Sequence, residues 1–279
     1  MPDPLPHTTA YDRIAHLYDV DMARNMPFDD VGVYTALAER SSGRVLELGC
    51  GNGRILLELI GRGIDAYGID CSGVMLGQLR EKAAQRGLAP RVCRMDARAL
   101  GFRNAFALAL CPYSLITYMS GSGDAVNMLD GVRHALIPGG SVVIDAFVPK
   151  PLIASGDFRL DYRRPYRDAV LLRSKRVASL TPILNRVERR YELVAADGSV
   201  LERIDTTEDI RPFAPEELLE LLPARGFAID AVWWDYAPGE RGPDAQFFTL
   251  SARKTRAGWR AWPWADPGST RYDVPALSS

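Results

Sequence analysis

The feature that most constrains this chain is an apolar run that leads directly into three glycines at alternate positions, Val45-Leu46-Glu47-Leu48-Gly49-Cys50-Gly51-Asn52-Gly53. Glycine permits the positive φ of a sharp turn and lets a ligand lie against backbone amides that a Cβ would obstruct. The segment therefore predicts a strand, a tight turn and a helix that together hold a nucleotide-type cofactor. A plain tight turn is the alternative explanation.

The glycine spacing separates two classes of cofactor. Dinucleotide folds use G-x-G-x-x-G, whose third glycine allows close packing of helix on strand. This chain has G-x-G-x-G, with Glu47 two residues before the first glycine. The pattern resembles the first motif of class I S-adenosylmethionine-dependent methyltransferases. The resemblance implies that the turn contacts the amino acid end of S-adenosylmethionine, through Glu47, Gly49, Cys50, Gly51, Asn52 and Gly53.

A carboxylate follows the second predicted strand. Residues 64–69 read as a strand that ends in Asp70, where an acid can accept two hydrogen bonds from a ribose diol. The alternative is that Asp70 caps the helix that starts near Ser72. The resemblance adds Cys71 to this edge and Met75 as a side chain packed on adenine, although Met75 also suits an ordinary core.

A second carboxylate, Asp96, follows the predicted strand 91–95. The resemblance implies that Asp96 accepts a hydrogen bond from the adenine amino group, while the backbone N–H of Ala97 faces a ring nitrogen. A helix cap explains Asp96 equally well. At the end of the next strand, the resemblance implies that Cys111 and Tyr113 border the cofactor.

The amino-terminal sequence also resembles this family, in which an N-terminal helix closes over the cofactor. The resemblance is carried by Tyr11-Asp12-Arg13-Ile14-Ala15-His16-Leu17-Tyr18-Asp19. Tyr11 and Tyr18 are seven residues apart and share a helical face. A phenol face can stabilise a sulfonium, and a phenol hydroxyl can contact the cofactor carboxylate. A packing helix is the alternative. We expect His16 to face solvent.

Strand and helix patterns alternate as a doubly wound α/β sheet requires. Strands are predicted near 44–48, 64–69, 91–95, 105–111, 141–147, 227–236 and 246–254, and helices near 53–62, 73–86, 123–137 and 215–225. The loop at 137–140 is predicted to end the third of these helices. The resemblance implies a Rossmann-like seven-stranded sheet of order 3-2-1-4-5-7-6, with strand 7 antiparallel. The expected regions are an N-terminal helical lid (1–40), a methyltransferase core (41–149 and 213–254), an inserted antiparallel β layer (150–212) and a tail (255–279).

The insertion contains a strong hairpin signal at Asp197-Gly198. A two-residue turn there pairs positions whose numbers sum to about 395, which sets opposite charges face to face. The expected pairs are Glu192 with Arg203, Arg190 with Asp205 and Arg186 with Asp209. A site for an acidic substrate is the alternative role of this arginine-rich stretch. The resemblance makes the layer a substrate cover or a contact of a homodimer.

Composition limits the function classes. The formal charge of −1 disfavours a dedicated nucleic-acid binder, which needs many Lys and Arg contacts to phosphates. No segment approaches the about 20 apolar residues of a membrane span, and no signal peptide is evident, so we expect a cytoplasmic protein. The four cysteines lack metal-ligand spacing, so we expect reduced thiols and no metal site. Three tryptophans at 259, 262 and 264 are expected to dock on the body or on a partner subunit.

The segment after the fourth strand, 110–119, resembles the F-x-S-x-x-x-H-L text of amino-sugar N-methyltransferases, with Tyr118 in place of the histidine. We expect Tyr118 to orient an acceptor or relay its proton, with an aromatic wall as the alternative. The sequence thus predicts an S-adenosylmethionine-dependent methyltransferase acting on nitrogen or oxygen of a small metabolite in natural-product biosynthesis. The alternatives are a cofactor binder that transfers no methyl group and, more distantly, a dinucleotide oxidoreductase.

Overall fold

The structure, a computed structural model, describes residues 6–22, 25–150 and 156–255, and the tryptophan-rich segment lies outside these ranges. The helices are α1 (Pro6–Ile14), α2 (Tyr18–Met22), α3 (Asp30–Glu39), α4 (Leu56–Gly61), α5 (Gly73–Gln85), α6 (Asp124–Ala135) and α7 (Pro215–Ala224). Short 3-10 turns span Ala15–Leu17 and Leu115–Tyr118. None of the helices in the described ranges is long and apolar enough to cross a membrane.

The described residues contain eleven strands. They are β1 (Val45–Leu48), β2 (Ala66–Asp70), β3 (Arg91–Arg94), β4 (Phe106–Cys111), β5 (Leu136–Phe147), β6 (Arg159–Tyr166), β7 (Ala169–Thr181), β8 (Leu184–Val194), β9 (Val200–Ile210), β10 (Phe227–Trp234) and β11 (Phe247–Lys254).

Seven of the strands form the sheet that the family resemblance implies. Its order is β10-β11-β5-β4-β1-β2-β3, which is the predicted 3-2-1-4-5-7-6 with β10 and β11 as the sixth and seventh strands. β11 runs antiparallel to both β5 and β10, and the other neighbours are parallel. The carboxyl ends of β1, β2 and β4 therefore meet at one edge, as the predicted site requires.

Helices cover both faces of this sheet. α3, α4 and α5 bury residues such as Tyr34, Leu56 and Leu79 against one face. α6 and α7 bury residues such as Leu129 and Leu218 against the other face. Each fully buried leucine contributes on the order of 1.5 to 3 kcal/mol of hydrophobic stabilisation, so the edge loops are supported by a rigid base.

The inserted strands form a separate antiparallel sheet of order β6-β7-β8-β9. The hairpin of β8 and β9 has the predicted register, and all three predicted pairs are confirmed as ion pairs. Arg186 lies 2.8 Å from Asp209, and Arg190 lies 2.8 Å from Asp205. Arg203 lies 2.6 Å from Glu192. These arginines are therefore occupied on the solvent side of the sheet.

The turn of this hairpin differs from the prediction. Ala195 donates its N–H to Ser199 at 2.9 Å, so the turn closes one residue earlier than a two-residue turn would. A register shift between Leu193 and Val194 compensates for that residue and restores the predicted pairing along the strands. Gly198, with φ of 86°, supplies the left-handed position that such a turn needs. The predicted register of the strands is therefore confirmed, although the predicted two-residue turn is wrong.

A second correction concerns residues 137–140, predicted as a loop after a helix that reaches residue 137. α6 ends at Ala135, and β5 begins at Leu136, so these residues lie inside a strand. Leu136 pairs with Phe106, and the register then shifts before Ser141 pairs with Leu108. A glycine-rich sequence next to a strand can thus form a bulge inside the strand instead of a loop that ends the preceding helix.

The N-terminal segment joins the two sheets. Ile14 and Leu17 are buried against Leu171 and Tyr191 of the inserted sheet. On its other side the segment contacts the core, because Asp19 lies 2.8 Å from Asn52 in the glycine turn. The segment therefore lies over the edge where β1, β2 and β4 end, which is the position expected of a lid.

The glycine turn after β1 has the predicted backbone. Gly49, Gly51 and Gly53 have φ values of 67°, 53° and 92°, all in the left-handed region. A Cβ on Gly53 would lie 2.8 Å from Leu57 and 2.9 Å from Leu79. Gly53 is therefore required by helix packing. Gly63, just after α4, has φ of 79° and is also in the left-handed region.

We predict that Gly53→Ala destabilises the chain more than Gly63→Ala. Both substitutions force an alanine into the left-handed region, at about 1 to 2 kcal/mol. Gly63 has no atom within 4 Å of an added Cβ, whereas Gly53 adds overpacking of about 1 to 3 kcal/mol. Urea unfolding of both variants measures the difference. Equal losses would show that α4 and α5 can move apart to accommodate a methyl group.

Candidate functional site

Two neighbouring cavities lie at the edge where β1, β2 and β4 end. The first cavity is lined by residues of the glycine turn, the ends of β2 and β3, the loop after β4 and the N-terminal segment. Its lining includes Tyr11, Tyr18, Gly49, Gly51, Asp70, Cys71, Met75, Met95, Asp96, Ala97, Arg98, Pro112, Tyr113, Leu115 and Tyr118. Eleven of these fifteen residues are among those predicted as site residues from sequence.

Asp70 organises the floor of the first cavity. Its Oδ2 accepts the N–H of Gly51 at 2.8 Å, and its Oδ1 accepts the N–H of Ser72 at 2.7 Å. The helix cap is Ser72, whose Oγ accepts the N–H of Met75 at 3.0 Å. Ser72, and not Asp70, therefore caps α5. Burial raises the pKa of Asp70, and the two backbone N–H groups oppose that rise.

Asp96 and Ala97 lie where the sequence predicted them, but Asp96 is already engaged. Arg98 donates to both carboxylate oxygens of Asp96, with distances of 2.8 to 3.1 Å. Arg98 also reaches Asp124 at 3.3 Å. A ligand at this end of the cavity would meet a neutralised Arg–Asp pair and the apolar side chains of Met75 and Met95.

A small side chamber continues from the first cavity behind Gly49 and Tyr18. It is lined by Glu47, Asn52 and Arg54, together with Cys50 and Ile55. Oε2 of Glu47 and Oδ1 of Asn52 are buried and have no hydrogen-bond partner in the described structure. Both oxygens are acceptors, so the chamber has the chemistry to receive an ammonium group. This donor and acceptor set fits the amino acid end of S-adenosylmethionine.

Burial in this chamber disfavours the ionised form of Glu47. Burial raises its pKa to about 8, while the nearby Arg54 guanidinium lowers it. Arg54 itself is held by Asp30 through two contacts of 2.7 Å. A cationic ligand group beside Glu47 would replace the lost hydration of its carboxylate.

Four phenols separate the first cavity from the second cavity. Tyr11, Tyr18, Tyr113 and Tyr118 line both. The hydroxyls of Tyr11 and Tyr118 lie 2.6 Å apart, and the Tyr11 ring meets the Tyr18 and Tyr118 rings edge to face. Burial raises the pKa of all four, to about 12 for Tyr113, so they are neutral near pH 7.

The second cavity has a volume of about 550 Å³ and lies between the N-terminal segment and the inserted sheet. Its polar lining includes Asp21, Lys150, Arg173, Lys175, Asn185, Arg189, Tyr191, Glu208 and Gln246. The members of this set on β7, β8 and β9 were not singled out from sequence, because they alternate with the outward-facing charges on the same strands. An alternation count along β8 and β9 would have identified them as inward-facing.

Two predicted cofactor residues do not line either cavity or the side chamber. Cys111 is fully buried in the core, so its thiol cannot contact a ligand. Gly53 packs against Leu57 and Leu79, as described above. Cys50 borders the side chamber only. The four cysteines are free thiols.

A buried carboxylate that sequence reasoning missed fixes the wall between the cavities. Asp145 accepts hydrogen bonds from the hydroxyls of Tyr34 and Tyr236 at 2.6 and 2.5 Å. It also accepts the backbone N–H groups of Tyr113 and Ser114 at 2.9 and 2.5 Å. Its partners come from three separate parts of the chain, which no local motif reveals.

We predict that Asp70→Asn weakens binding of S-adenosylhomocysteine about 10- to 100-fold, because bonds to a charged acceptor are each worth about 1.5 to 3 kcal/mol. The substitution sets an amide N–H against the N–H of Gly51 or Ser72. Stability should also fall, because these two buried backbone N–H groups lose a charged acceptor. Calorimetry measures the affinity, with Asp65→Asn as the control acid just before the same strand. An unchanged affinity would limit Asp70 to a structural role.

We predict that Glu47 makes the unliganded chain less stable as pH rises. Its folded pKa of about 8 lies above its ordinary value of 4.5, so the folded state binds the proton more tightly. That contribution is complete below pH 4.5 and disappears as pH rises through about 8, at about 1.4 kcal/mol per pH unit. Urea unfolding at several pH values should show a smaller decline in Glu47→Gln. Identical slopes in both proteins would contradict the raised pKa.

Comparison with known proteins also indicates a methyltransferase. A family described as a methyltransferase domain matches residues 45–140, which contain the glycine turn, Asp70 and Asp96. YqeM of Bacillus subtilis (strain 168), which carries a provisional methyltransferase name, is 24% identical over 256 residues, covering 88% of this chain and 98% of YqeM.

Solved structures share the fold. The CcbJ methyltransferase of Streptomyces caelestis has a TM-score of 0.72 at 21% identity, covering 89% of this chain and 99% of CcbJ. CalS10 of Micromonospora echinaspora, an amino pentose methyltransferase bound to S-adenosylmethionine, has a TM-score of 0.65 at 19% identity, with 86% and 97% covered. KedS8 of Streptoalloteichus sp., a sugar N-methyltransferase, has a TM-score of 0.66 at 21% identity, with 87% and 93% covered.

The matched domain includes the glycine turn and both predicted cofactor carboxylates, and the sheet carries the reversed strand that a dinucleotide-binding fold lacks. The chain therefore contains a methyltransferase domain and has the fold of S-adenosylmethionine-dependent methyltransferases, with S-adenosylmethionine as its cofactor.

Proposed function

We propose that this enzyme methylates an amine nitrogen of a small metabolite in natural-product biosynthesis. The observation that carries the proposal is the set of four phenols that line both cavities. A cofactor in the first cavity and an acceptor in the second would meet across these neutral side chains. Hydroxyl oxygen is the second candidate acceptor.

The form of the second cavity supports a small acceptor. It is bounded by the N-terminal segment and by the inner face of β7, β8 and β9. Its walls combine aromatic rings with paired charges, which suits a compact molecule that has both polar and apolar faces. The arginines on the outer face of β8 and β9 are engaged with acids, which disfavours these two strands as a track for a long polyanion such as nucleic acid.

Nitrogen is favoured over oxygen by the state of the phenols. An amine attacks through its own lone pair, whereas a hydroxyl needs a base before or during attack. Burial keeps Tyr11 and Tyr118 protonated, so neither supplies a phenolate base near pH 7. Their hydroxyls can orient an acceptor, and their ring faces can stabilise positive charge.

When bound, S-adenosylmethionine supplies an activated methyl group. Glu47, Asn52 and Arg54 would hold its amino acid end, Asp70 its ribose, and Met75 and Ala97 its adenine. The residues of the chain thereby position the two reactants, and positioning can lower a barrier by about 7 to 11 kcal/mol.

Similar proteins point toward the same class of acceptor. CalS10 and KedS8 are named as amino pentose and sugar N-methyltransferases, and CalS10 takes part in calicheamicin biosynthesis. Their likeness to this chain supports an amino sugar or related amine. Cytoplasmic location, a homodimer through the inserted sheet, and the regional boundaries given above stay predictions.

The experiment is a methyl-transfer assay on the full chain with methyl-labelled S-adenosylmethionine. The acceptor panel contains amino sugars, amino alcohols and amino acids, each paired with the analogue that has hydroxyl in place of amine. Labelled product from amines and none from the paired alcohols supports the proposal. Transfer to the alcohols alone would replace it with O-methylation, and cofactor binding without transfer to any acceptor would favour a non-transferring protein.

We predict that Tyr118→Phe lowers kcat and kcat/KM together by about 2- to 10-fold, because one neutral hydrogen bond is worth about 0.5 to 1.5 kcal/mol. S-adenosylhomocysteine affinity should be unchanged. Tyr67→Phe is the control, since its hydroxyl contacts Arg91 away from both cavities. Full activity in Tyr118→Phe together with its loss in Tyr118→Ala would show that only the ring, as a wall, matters.

A further inference from the structure

One ion pair in the second cavity combines an almost fully buried carboxylate with unused hydrogen-bonding capacity. Glu208 on β9 is paired with Arg189 on β8, on the inner face of the inserted sheet. The Glu208 side chain is only 4% exposed. Two charges withdrawn this far from water are costly unless further partners satisfy them, so a buried pair of this kind is poor evidence for stability alone.

The pair has unused hydrogen-bonding capacity. Among the described residues, Arg189 is the one hydrogen-bond partner of Glu208, through Oε2, which leaves Oε1 without a partner. Arg189 likewise makes no other hydrogen bond there, although a guanidinium has five N–H donors. A ligand that both donates and accepts hydrogen bonds would complete this pair.

The other carboxylate of the second cavity is already saturated. Asp21 receives hydrogen bonds from Tyr162, Arg173 and Tyr191, with the Arg173 contact at 2.6 Å and the Tyr191 contact at 3.3 Å. Asp21 therefore serves the packing of the N-terminal segment on the inserted sheet. Of the two acids that line this cavity in the described part of the chain, Glu208 is the one with an open oxygen.

Glu208 also lies close to the phenols that separate the cavities. Its charge adds to burial in raising the pKa of both Tyr11 and Tyr118. A carboxylate within electrostatic reach of these phenols is near the place where an acceptor atom would meet the methyl group.

We propose that Glu208 is a catalytic residue that binds the acceptor amine and takes its proton, with Arg189 holding the carboxylate and contacting an oxygen on the same acceptor. This inference rests on the proposed function and names the substrate class more closely as amines that carry a nearby hydroxyl, ether or carboxylate oxygen. The nitrogen lone pair forms the new N–C bond, and the electrons of the broken C–S bond stay on sulfur. That lone pair becomes free when one N–H proton of the bound ammonium form of the acceptor passes to Oε1 of Glu208 and then to water, before the attack.

The test compares three variants of the full chain with the amine that gives the fastest labelled product. Glu208→Gln keeps the shape and removes the base, and Glu208→Asp shortens the carboxylate. Glu188→Gln is the matched control, because Glu188 pairs with Arg176 on the outer face of the same sheet. At saturating acceptor, we expect kcat to fall about 100- to 10,000-fold in Glu208→Gln, less in Glu208→Asp, and not at all in Glu188→Gln.

Two binding measurements distinguish this role from a structural one. S-adenosylhomocysteine affinity should be unchanged in every variant, which also verifies folding. In calorimetry on the protein saturated with S-adenosylhomocysteine, glucosamine should bind the wild type at least about 10-fold more tightly than Glu208→Gln, by about 1.4 kcal/mol, while glucose should not distinguish them. If Glu208→Gln fails to fold, Glu208→Asp carries both comparisons.

The possible results distinguish failure of this inference from failure of the proposed function. Wild-type rates and glucosamine affinity in Glu208→Gln, with amine methylation intact, would overturn the role of Glu208 and leave the proposed function standing. Absence of labelled product from the wild type with every amine would overturn the proposed function and this inference together. A loss of kcat in Glu188→Gln equal to that in Glu208→Gln would reduce the effect to stability of the inserted sheet.

Discussion

The arrangement of both cavities depends on the carboxylate of Asp145, which ends up fully buried between the sheet and the loop after β4. Tyr113 and Ser114 have φ values of 54° and 57°, a conformation that costs a non-glycine residue about 1 to 3 kcal/mol. Hydrogen bonds from both of their N–H groups to Asp145, each worth about 1.5 to 3 kcal/mol to a charged acceptor, offset that cost. This anchor directs the turn Leu115–Tyr118 toward the boundary of the cavities.

The other half of the site is supplied by parts of the chain that the α/β core does not need. The N-terminal segment contributes Tyr11 and Tyr18, and the inserted sheet contributes Arg189 and Glu208. Because Ile14 and Leu17 pack on the inserted sheet while Asp19 contacts Asn52, movement of either part would disturb both cavities. The N-terminal segment and the inserted sheet are therefore structurally coupled to each other and to the glycine turn.

The family resemblance supplied the strand order, and local patterns in the sequence were sufficient for the glycine turn and the position of Asp70. These features depend on residues near one another in the chain, such as Gly49 to Gly53, and on the edge geometry of a parallel sheet. The register of β8 and β9 was predictable because opposite charges repeat along both strands. Asp145 and Arg54 were not predictable, because their partners lie far away in the sequence, whereas Glu208 required only an alternation count along β9. Cys111 failed as a cofactor contact because its strand position faces the core.

Charge is sorted along the path between the two ligands. Ionisable groups lie away from the boundary of the cavities, with Glu47 and Arg54 in the side chamber and Glu208 and Arg189 in the second cavity. In the described part of the chain, the residues common to both cavities are neutral phenols. Charged anchors at the ends can fix two polar molecules, while uncharged rings between them hold little water. An in-line methyl transfer needs this combination, since its rate depends on a short, dry approach of two well-held reactants.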